Sequence, residues 1–416
     1  MSLQGPLIVV AEQPAAELTS ALSAGGAFPI VETNWTDAPT AFISVKPSAV
    51  IVADPAPPPS EAAARMLGLQ IATVNGPIVP AVMLVAPNCE PAIANALAVD
   101  ADQPIQRLIA RLQSALRVRA LHATVLRRCE TFAAEGGVLP QWPDGDALDD
   151  ATVLAVGRGP LYAALAVAMG ERVKTVGALS LESAQKHLAA DEFDGLVIGD
   201  GFPPRTIDAF LGALAQDVAF RELPIAVTGQ KGEIAVAVDH LSANPALIVT
   251  RILPFVRLHA FAARLKRMLA SLDAGGVLDP ATGLLTRDCF FRELGKAIAD
   301  ASDRSQPLSL ARFSFETTLD TRAALDGARL VTRLTRTIDF ATREEDGSIL
   351  VAFTQTDLRN AHVVARRIAA PLKTTMLAQH SHNRVAANVT LATLKMGDTP
   401  DTLMLRVQGR RLVAAE

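Results

Sequence analysis

The sequence has 416 residues, 50% of them hydrophobic and 20% charged, with a formal net charge of −4 at pH 7. This composition is typical of soluble globular proteins, and the length predicts roughly two to four domains. The weak negative charge argues against a general nucleic-acid binder, and no apolar run has the length of a membrane span. We therefore predict a cytoplasmic protein with no nucleic-acid partner and no membrane insertion.

The three cysteines, Cys89, Cys129 and Cys289, are scattered without the spacing of metal ligands. This usage is typical of packed thiols in a reducing compartment. The seven histidines are dispersed as well, and none pairs at helical spacing with another ligand type. The sequence therefore predicts no metal site and no required cofactor.

Residues 1–135 alternate short apolar runs with alanine-rich stretches. The apolar runs have the length of buried strands, and the alanine-rich stretches have helical spacing. This alternation predicts a parallel sheet covered by helices. The predicted strands are Leu7–Val10, Ala49–Ala53 and Ala81–Val85, and the predicted helices are Ala15–Ala24, Ser60–Leu67 and Ile105–Arg128. The last helix is long enough either to pack on a partner or to lie buried between two domains of the same chain.

Residues 151–273 repeat the alternation after a stretch rich in Gly, Pro and Asp, residues 136–150, which is typical of a linker. The predicted elements of this second domain are the strands Thr152–Val156, Gly195–Ile198 and Pro224–Val227, and the closing helix Pro254–Leu272. The pair Gly275-Gly276 marks another boundary. A third domain is therefore predicted to span residues 274–416.

The repeat is clearest at the third strand of each of the first two domains. Residues 48–54 end in Asp54 and are followed by Pro55, while residues 194–200 end in Asp200 and are followed by Pro203. Both stretches resemble the strand of response-regulator receiver domains that ends in the phosphorylated aspartate. The resemblance implies two receiver-like domains, each a flavodoxin/CheY-like doubly wound parallel sheet with ligands at the carboxyl ends of its strands.

Both receiver-like domains lack much of the machinery of phosphoryl transfer. That reaction needs an acidic pair to hold Mg²⁺, a hydroxyl and a lysine. The residues at these positions are Ala11-Glu12, Val85 and Gln103 in the first domain and Gly157-Arg158, Thr228 and Leu253 in the second, whose acceptor is either Gly199 or Asp200. A lone carboxylate binds Mg²⁺ poorly. We favour a dimerising scaffold over a phosphorylation switch at Asp54, which stays an alternative.

Several motifs of the third domain fall in register with one another. They are the opening Asp279-Pro-Ala-Thr282-Gly283-Leu284-Leu-Thr286-Arg287, the pair Arg336-x-x-Asp339, the apolar run Leu350–Phe353 after Glu345–Ile349, the late strand Asn388–Thr393 and the helix start Thr402–Val407. This set resembles the GGDEF family, whose enzymes make cyclic di-GMP. The resemblance implies a GGDEF-like α+β domain with a mixed central sheet. It also places the chain among tandem receiver–receiver–GGDEF response regulators of two-component signal transduction.

The residues of the family's catalytic signature are replaced. The five signature positions carry Glu345, Asp346, Gly347, Ser348 and Ile349. The signature's acidic positions thus hold glycine and serine, and its glycines have become carboxylates that would repel a triphosphate. Ser314 stands where the family has a metal-binding aspartate, and Glu316 stands at the second acidic position. The sequence predicts a degenerate diguanylate cyclase domain without enzymatic activity.

The product-binding residues of the family are retained. The resemblance makes Arg336 and Asp339 its inhibitory site for cyclic di-GMP, and Arg367 falls where the family has a further ligand-binding arginine. A guanidinium can donate to the O6/N7 edge of guanine or to phosphate, and a carboxylate can accept from its N1–H and N2–H. The alternative is an exposed ion pair of Arg336 with Asp339, beside a solvated basic face of Arg343, Arg366 and Arg367.

The sequence as a whole predicts a non-catalytic nucleotide-binding effector, a homodimer that responds to cyclic di-GMP by changing its affinity for an unidentified protein partner. Two alternatives remain open. One is a ligand-free dimerisation scaffold, and the other is a regulator gated by phosphorylation or a residual diguanylate cyclase.

Overall fold

The computed structural model describes residues 3–55, 58–87, 89–142, 145–228, 238–241, 244–315, 321–374 and 387–409. The chain divides into two compact units, the first of residues 1–119 and 142–266 and the second of residues 120–141 and 267–416. The boundaries at residues 119/120 and 266/267 fall inside long helices, and the one at 141/142 lies in a loop. The predicted division into residues 1–135, 136–150, 151–273 and 274–416 stays a prediction.

The first unit opens with a five-stranded sheet. Its elements are β1 (Gln4–Val10), α1 (Ala16–Ala24), β2 (Phe28–Thr33), α2 (Ala38–Val45), β3 (Ala49–Val52), α3 (Glu61–Ala72), β4 (Ala81–Val85), β5 (Leu97–Asp100) and α4 (Ile105–Ala134). The strands are parallel in the order β2-β1-β3-β4-β5. This order is that of flavodoxin-like doubly wound folds. The predicted doubly wound sheet is confirmed, while its assignment as a receiver stays a prediction.

The second sheet of the first unit repeats this topology. Its elements are β6 (Thr152–Val156), α5 (Pro160–Gly170), β7 (Lys174–Ala178), α6 (Leu181–Ala190), β8 (Gly195–Ile198), α7 (Pro204–Gln216), β9 (Ile225–Thr228), β10 (Val238–Leu241) and α8 (Pro245–Leu272). The strands are parallel in the order β10-β9-β8-β6-β7. Numbered within the domain, this is again the order 2-1-3-4-5. The three predicted strands of this domain are confirmed, and β7 and β10 are additional.

The closing helix α8 corrects one prediction. It begins at Pro245 and carries Pro254 in its interior, so the predicted helix start at Pro254 is wrong, and Leu253, predicted to stand at the lysine position, lies inside the helix. The residue before a proline disfavours helical geometry, but Leu253 and its neighbours are buried in the core, and this burial outweighs the local preference. Among the described residues, the helical stretch Pro245–Val277 is the one that is long and apolar enough to cross a membrane. Of its apolar 18-residue segment, 56% is buried inside the structure.

Reciprocal ion pairs join the two sheets of the first unit. On α4, Arg107 and Arg111 bind Asp239 of β10 at 2.8 and 2.7 Å. On α8, Arg251 binds Asp100 of β5 at 2.6 Å. Each closing helix thus pairs with the fifth strand of the other sheet, the arrangement of a two-fold interface. The two doubly wound halves of the first unit are thus joined through equivalent elements.

The second unit contains residues 120–134 of α4 together with the C-terminal elements. These are α9 (Arg287–Asp303), β11 (Leu308–Phe315), α10 (Thr321–Leu334), β12 (Phe340–Arg343), β13 (Ile349–Thr354), α11 (Leu358–Thr374), β14 (Ala387–Thr393) and α12 (Pro400–Val407). The strand order is β12-β13-β11-β14. From β11 onward the chain runs βαββαβ, a ferredoxin-like order. The predicted late strand and last helix are confirmed.

The expected mixed sheet is wrong for these strands. Every strand pair in this sheet is antiparallel among the described residues. The helix α10 returns the chain so that β12 runs parallel to β11, but β13 inserts between them and pairs antiparallel with both. A single parallel bridge, between Leu285 and Thr342, adds the opening loop to the edge of the sheet.

Candidate functional site

The opening loop of the third domain is a hydrogen-bonded turn that fixes the edge of the sheet. The Oδ2 atom of Asp279 accepts from Thr282 Oγ1 at 2.7 Å, and this bond holds the pKa of Asp279 below its usual value, although partial burial acts against it. The backbone N–H of Leu285 donates to Ala341 O at 2.9 Å. Thr286 then caps α9 by accepting from the N–H of Cys289. The motif therefore has a structural role in this chain.

Residues 345–349, predicted to be a degenerate signature, form a closed turn between β12 and β13. Gly347 has φ of +80°, which only glycine adopts without strain, and its N–H donates to Glu344 O at 3.0 Å. Asp346 Oδ1 accepts from the N–H and the hydroxyl of Ser348 at 2.9 and 2.6 Å. Arg312 on β11 donates to Asp346 Oδ2 at 2.5 Å.

These contacts set the charge state of the turn. Burial alone would raise the pKa of Asp346, but the hydrogen bonds from Ser348 and Arg312 outweigh it, and the pKa lies below its usual value. The Asp346 charge is therefore compensated within the protein. Glu345 is exposed at the tip of the turn, and Ile349 is buried as the first residue of β13.

Ser314, predicted to stand where a metal-binding aspartate would lie, makes a structural contact. Ser314, near the end of β11, donates to Asn388 O on β14 at 3.4 Å. Glu316 lies outside the described residues. Within the described ranges no group of three or more His, Cys, Asp or Glu side chains could hold a metal ion. The donor set for a catalytic metal is therefore not assembled from the described side chains.

Asp339 is buried rather than exposed. It follows α10 in a turn in which its N–H donates to Arg336 O at 3.0 Å, and its side chain is 7% exposed. The Oδ1 atom accepts from the backbone N–H of Thr354 at 3.0 Å, while the buried Oδ2 atom has no hydrogen-bond partner. Burial raises the pKa of Asp339 to about 7, although Arg336 and the Thr354 bonds act in the opposite direction. The carboxyl thus exchanges its proton near neutral pH.

A cavity of about 270 Å³ brings Arg336 and Asp339 together. Its lining also includes Arg128 and Asp273, three threonines and an apolar wall with Leu285 and Phe340. Among the described residues no ion pair or hydrogen bond is found for the half-buried Arg336 guanidinium, although its charge lowers the pKa of Asp339. The alternative of an exposed Arg336–Asp339 ion pair is therefore wrong.

Arg367 lies elsewhere on the second unit. It occupies the exposed face of α11 next to Arg366 and is not part of the cavity lining. The structure thus brings together two of the three predicted ligand-binding residues, and the role of Arg367 stays a prediction. Arg343 is exposed at the end of β12.

A buried charge cluster beside the cavity escaped the sequence analysis. Arg127 and Arg128 of α4 are 8% and 5% exposed, and Glu293 of α9 is fully buried. Arg128 Nε donates to Glu293 Oε2 at 3.0 Å, and its Nη1 donates to Asp273 Oδ1. Burial lowers the pKa of Arg127. The available signal was the Arg127-Arg128 pair inside an otherwise apolar stretch of α4.

The strand ends of the first unit hold the predicted phosphorylation residues in different surroundings. Asp54 follows β3 and is partly exposed. Glu12, the remaining member of the acidic pair, accepts from the backbone N–H of Trp35 at 3.3 Å. The acid is thus engaged at the entry to α2. A phosphorylation switch at Asp54 stays an alternative.

The corresponding edge of the second sheet is filled by side chains. Asp200 Oδ1 accepts from the N–H of Tyr162 at 3.3 Å, at the start of α5. A Cβ atom at Gly159 would lie 1.9 Å from Asp200 Oδ2, and one at Gly177 would lie 2.3 Å from the Tyr162 hydroxyl. The Asp200 carboxylate therefore caps a helix beneath a tyrosine that covers the strand ends.

A search against known protein families finds no match to this sequence, and no curated protein matches it. Solved structures do match part of it. The coiled coil and GGDEF domain of DgcB from Caulobacter crescentus in complex with c-di-GMP is 20% identical, covering 35% of this chain and 84% of that chain with a TM-score of 0.31. The diguanylate cyclase SiaD from Pseudomonas aeruginosa in complex with its activator SiaC is 22% identical, covering 35% of this chain and 62% of that chain with a TM-score of 0.31. The GGDEF domain of FimX from Pseudomonas aeruginosa is 16% identical, covering 32% of this chain and 90% of that chain with a TM-score of 0.30. At these identities and TM-scores the matches establish neither a family nor an activity for this chain.

Proposed function

We propose that this protein is a catalytically inactive GGDEF-family effector that binds cyclic di-GMP at the turn from Arg336 to Asp339. The observation that carries the proposal is a buried carboxyl oxygen without a hydrogen-bond partner beside a guanidinium on the same cavity. The buried Oδ2 atom of Asp339 has no partner, and the half-buried Arg336 lines the cavity next to it. Burying a polar atom without a hydrogen bond costs free energy, so the Asp339 oxygen is an uncommon feature unless a ligand satisfies it.

The chemistry of the pair matches one edge of guanine. The Arg336 guanidinium can donate to O6 and N7 or to a phosphate oxygen. Since Thr354 occupies Oδ1, Asp339 offers only Oδ2 to the guanine N1–H or N2–H. The cavity of about 270 Å³ is smaller than pockets that enclose a whole ligand, about 300–1,000 Å³. One base enters it in this proposal, and the rest of the nucleotide lies on the surface, where Arg367 is the proposed third contact.

The loss of cyclase activity rests on the residues at the catalytic positions. Gly347 and Ser348 provide no carboxylate where the signature needs two, and Ser314 provides none on β11. The Asp346 carboxylate is engaged by Arg312 and Ser348. A turn closed in this way supports a structural role for the former signature. Cyclic di-GMP is then a ligand of the protein and not its product.

Binding has a regulatory consequence in this proposal. A ligand shifts a conformational equilibrium only by its difference in affinity for the two states. In this proposal cyclic di-GMP favours one state of the chain, a homodimer, and changes its affinity for a protein partner. The nucleotide-bound state is the one that binds this protein partner.

Isothermal titration calorimetry with cyclic di-GMP tests the binding site. We expect saturable heat in the wild type and an affinity at least about tenfold lower in Arg336→Ala, because a charge-assisted hydrogen bond is lost. Arg343→Ala removes an exposed arginine next to the signature turn and serves as the matched control, with an affinity within about twofold of the wild type. Arg367→Ala shows whether α11 contributes. Equal heats in the wild type and Arg336→Ala, or none in either, would remove the proposal.

A second function, a ligand-free assembly scaffold, has its own supporting observation. The closing helices and fifth strands of the first unit are engaged in reciprocal ion pairs, and Asp200 serves as a helix cap beneath Tyr162. These contacts give the first unit a fixed structural role. Sedimentation velocity with and without cyclic di-GMP separates the two functions, because a scaffold keeps the same assembly state in both.

A further inference from the structure

Arg128 is the second guanidinium on the cavity that contains Arg336 and Asp339, and it comes from a different part of the sequence. It lies on α4, ahead of both predicted linkers, and is 5% exposed. Its Nε and Nη1 atoms are bonded to Glu293 and Asp273. Among the described residues no acceptor is bonded to its Nη2 group. A buried guanidinium with an unused donor thus faces the same cavity as the unpartnered Asp339 Oδ2.

The two carboxylates that hold Arg128 differ in their freedom to move. Glu293 is fully buried, and its Oε2 atom accepts from Arg128 Nε, so this bond is fixed by the core. The Asp273 side chain is 28% exposed, lines the cavity and opens a segment that contains two consecutive glycines. Asp273 can therefore turn towards water when another anion approaches Arg128, while Glu293 keeps the arginine in place.

We infer that Arg128 is a ligand-binding residue of this cavity and that it exchanges Asp273 for an oxyanion or carbonyl oxygen of the bound nucleotide. The inference rests on the proposed function, because it names a further residue and a built-in competitor for the same ligand. In the free protein Asp273 occupies one donor of Arg128. In the complex the ligand takes that donor together with Nη2, the bidentate geometry that guanidinium groups favour.

Replacing Asp273 should raise the affinity for cyclic di-GMP, whereas replacing a residue that binds the ligand lowers it. Asp273→Asn removes the competing charge but leaves Arg128 and its bond to Glu293, so cyclic di-GMP should bind about tenfold tighter, the equivalent of one charge-assisted hydrogen bond. Asp300→Asn is the matched control. It neutralises another aspartate of the same cluster, which lies 3.9 Å from Arg127 and does not line the cavity. Its affinity should stay within about twofold of the wild type.

Calorimetric titration of cyclic di-GMP into the full-length wild type and the two variants measures these changes. Arg128→Lys provides a second variant, because a lysine keeps the positive charge that Glu293 needs but lacks the fork, and it should bind about tenfold more weakly. Binding by the wild type with equal affinities in Asp273→Asn and Asp300→Asn, or weaker binding in Asp273→Asn, would overturn the role of Arg128 and leave the proposed function standing. No heat in the wild type would refute the proposed function and this assignment with it.

Discussion

Replacing Asp339 with asparagine should stabilise the second unit, and the gain should be larger at pH 8 than at pH 5. In the wild type, burial raises the pKa of Asp339 from 3.8 to about 7. A carboxyl whose folded-state pKa lies above its unfolded-state value favours folding most when it is protonated in both states. That contribution is complete below the unfolded pKa and is lost as the pH rises through about 7.

The size of the effect follows from the pKa difference. At about 1.36 kcal/mol per unit, the full penalty for ionising Asp339 in the folded state is about 4 kcal/mol, and roughly 2–3 kcal/mol of it develops between pH 5 and pH 8. An asparagine can still accept from the Thr354 N–H and carries no charge at either pH. The increase in the free energy of unfolding of Asp339→Asn over the wild type should therefore be larger at pH 8 than at pH 5 by about 2–3 kcal/mol.

Hydrogen exchange of peptides from β13 during urea unfolding measures this stability within the second unit. Asp346→Asn is the control. The pKa of Asp346 is lowered, so its contribution is already complete above its unfolded value and changes little between pH 5 and pH 8. If Asp339→Asn changed the stability by the same amount at both pH values, the burial of an ionisable carboxyl would not be the controlling feature of this turn.

Three further predictions concern stability and activity. Glu293→Ala should cost the second unit about 3 kcal/mol, because it leaves Arg128 buried and partly unpaired, and faster hydrogen exchange in α9 would report it. A similar loss of stability, about 3 kcal/mol, is expected for Arg251→Ala in the first unit, because Asp100 loses its ion-pair partner. The fluorescence emission of the buried Trp35 reports the unfolding of this unit. Wild-type stability in either variant would contradict the proposed contribution of that buried ion pair. Incubation with GTP and Mg²⁺ should yield no cyclic di-GMP. Formation of the product would contradict the prediction that the protein lacks cyclase activity.

Fully buried strands were predictable from the sequence, and edge strands were not. The residues of β3 and β8 are all buried, so their apolar runs stand out without any tertiary knowledge. The edge strands β2 and β7 are largely exposed or half-buried, and their polar residues hide the pattern. The doubly wound class was still predictable, because the alternation of strands and helices depends on the central strands alone.

The candidate site was predictable in its residues but not in its environment. The spacing of Arg336 and Asp339 is a property of the sequence, whereas the burial of Asp339 depends on Thr354 across a strand pair. The contribution of Arg128 depends on α4 packing in the second unit, far from the motif along the chain. Local spacing carries no information on which distant helix lines a cavity, so these features required the folded chain.

Equilibrium dialysis with labelled cyclic di-GMP tests the central claim most directly. The protein should retain the label saturably, with no more than one binding site per chain. An excess of unlabelled cyclic di-GMP should displace the label, whereas an equal excess of GTP should not. If no label is retained, or if GTP displaces it as effectively as cyclic di-GMP does, the proposed binding of the dinucleotide at the Arg336–Asp339 turn is contradicted.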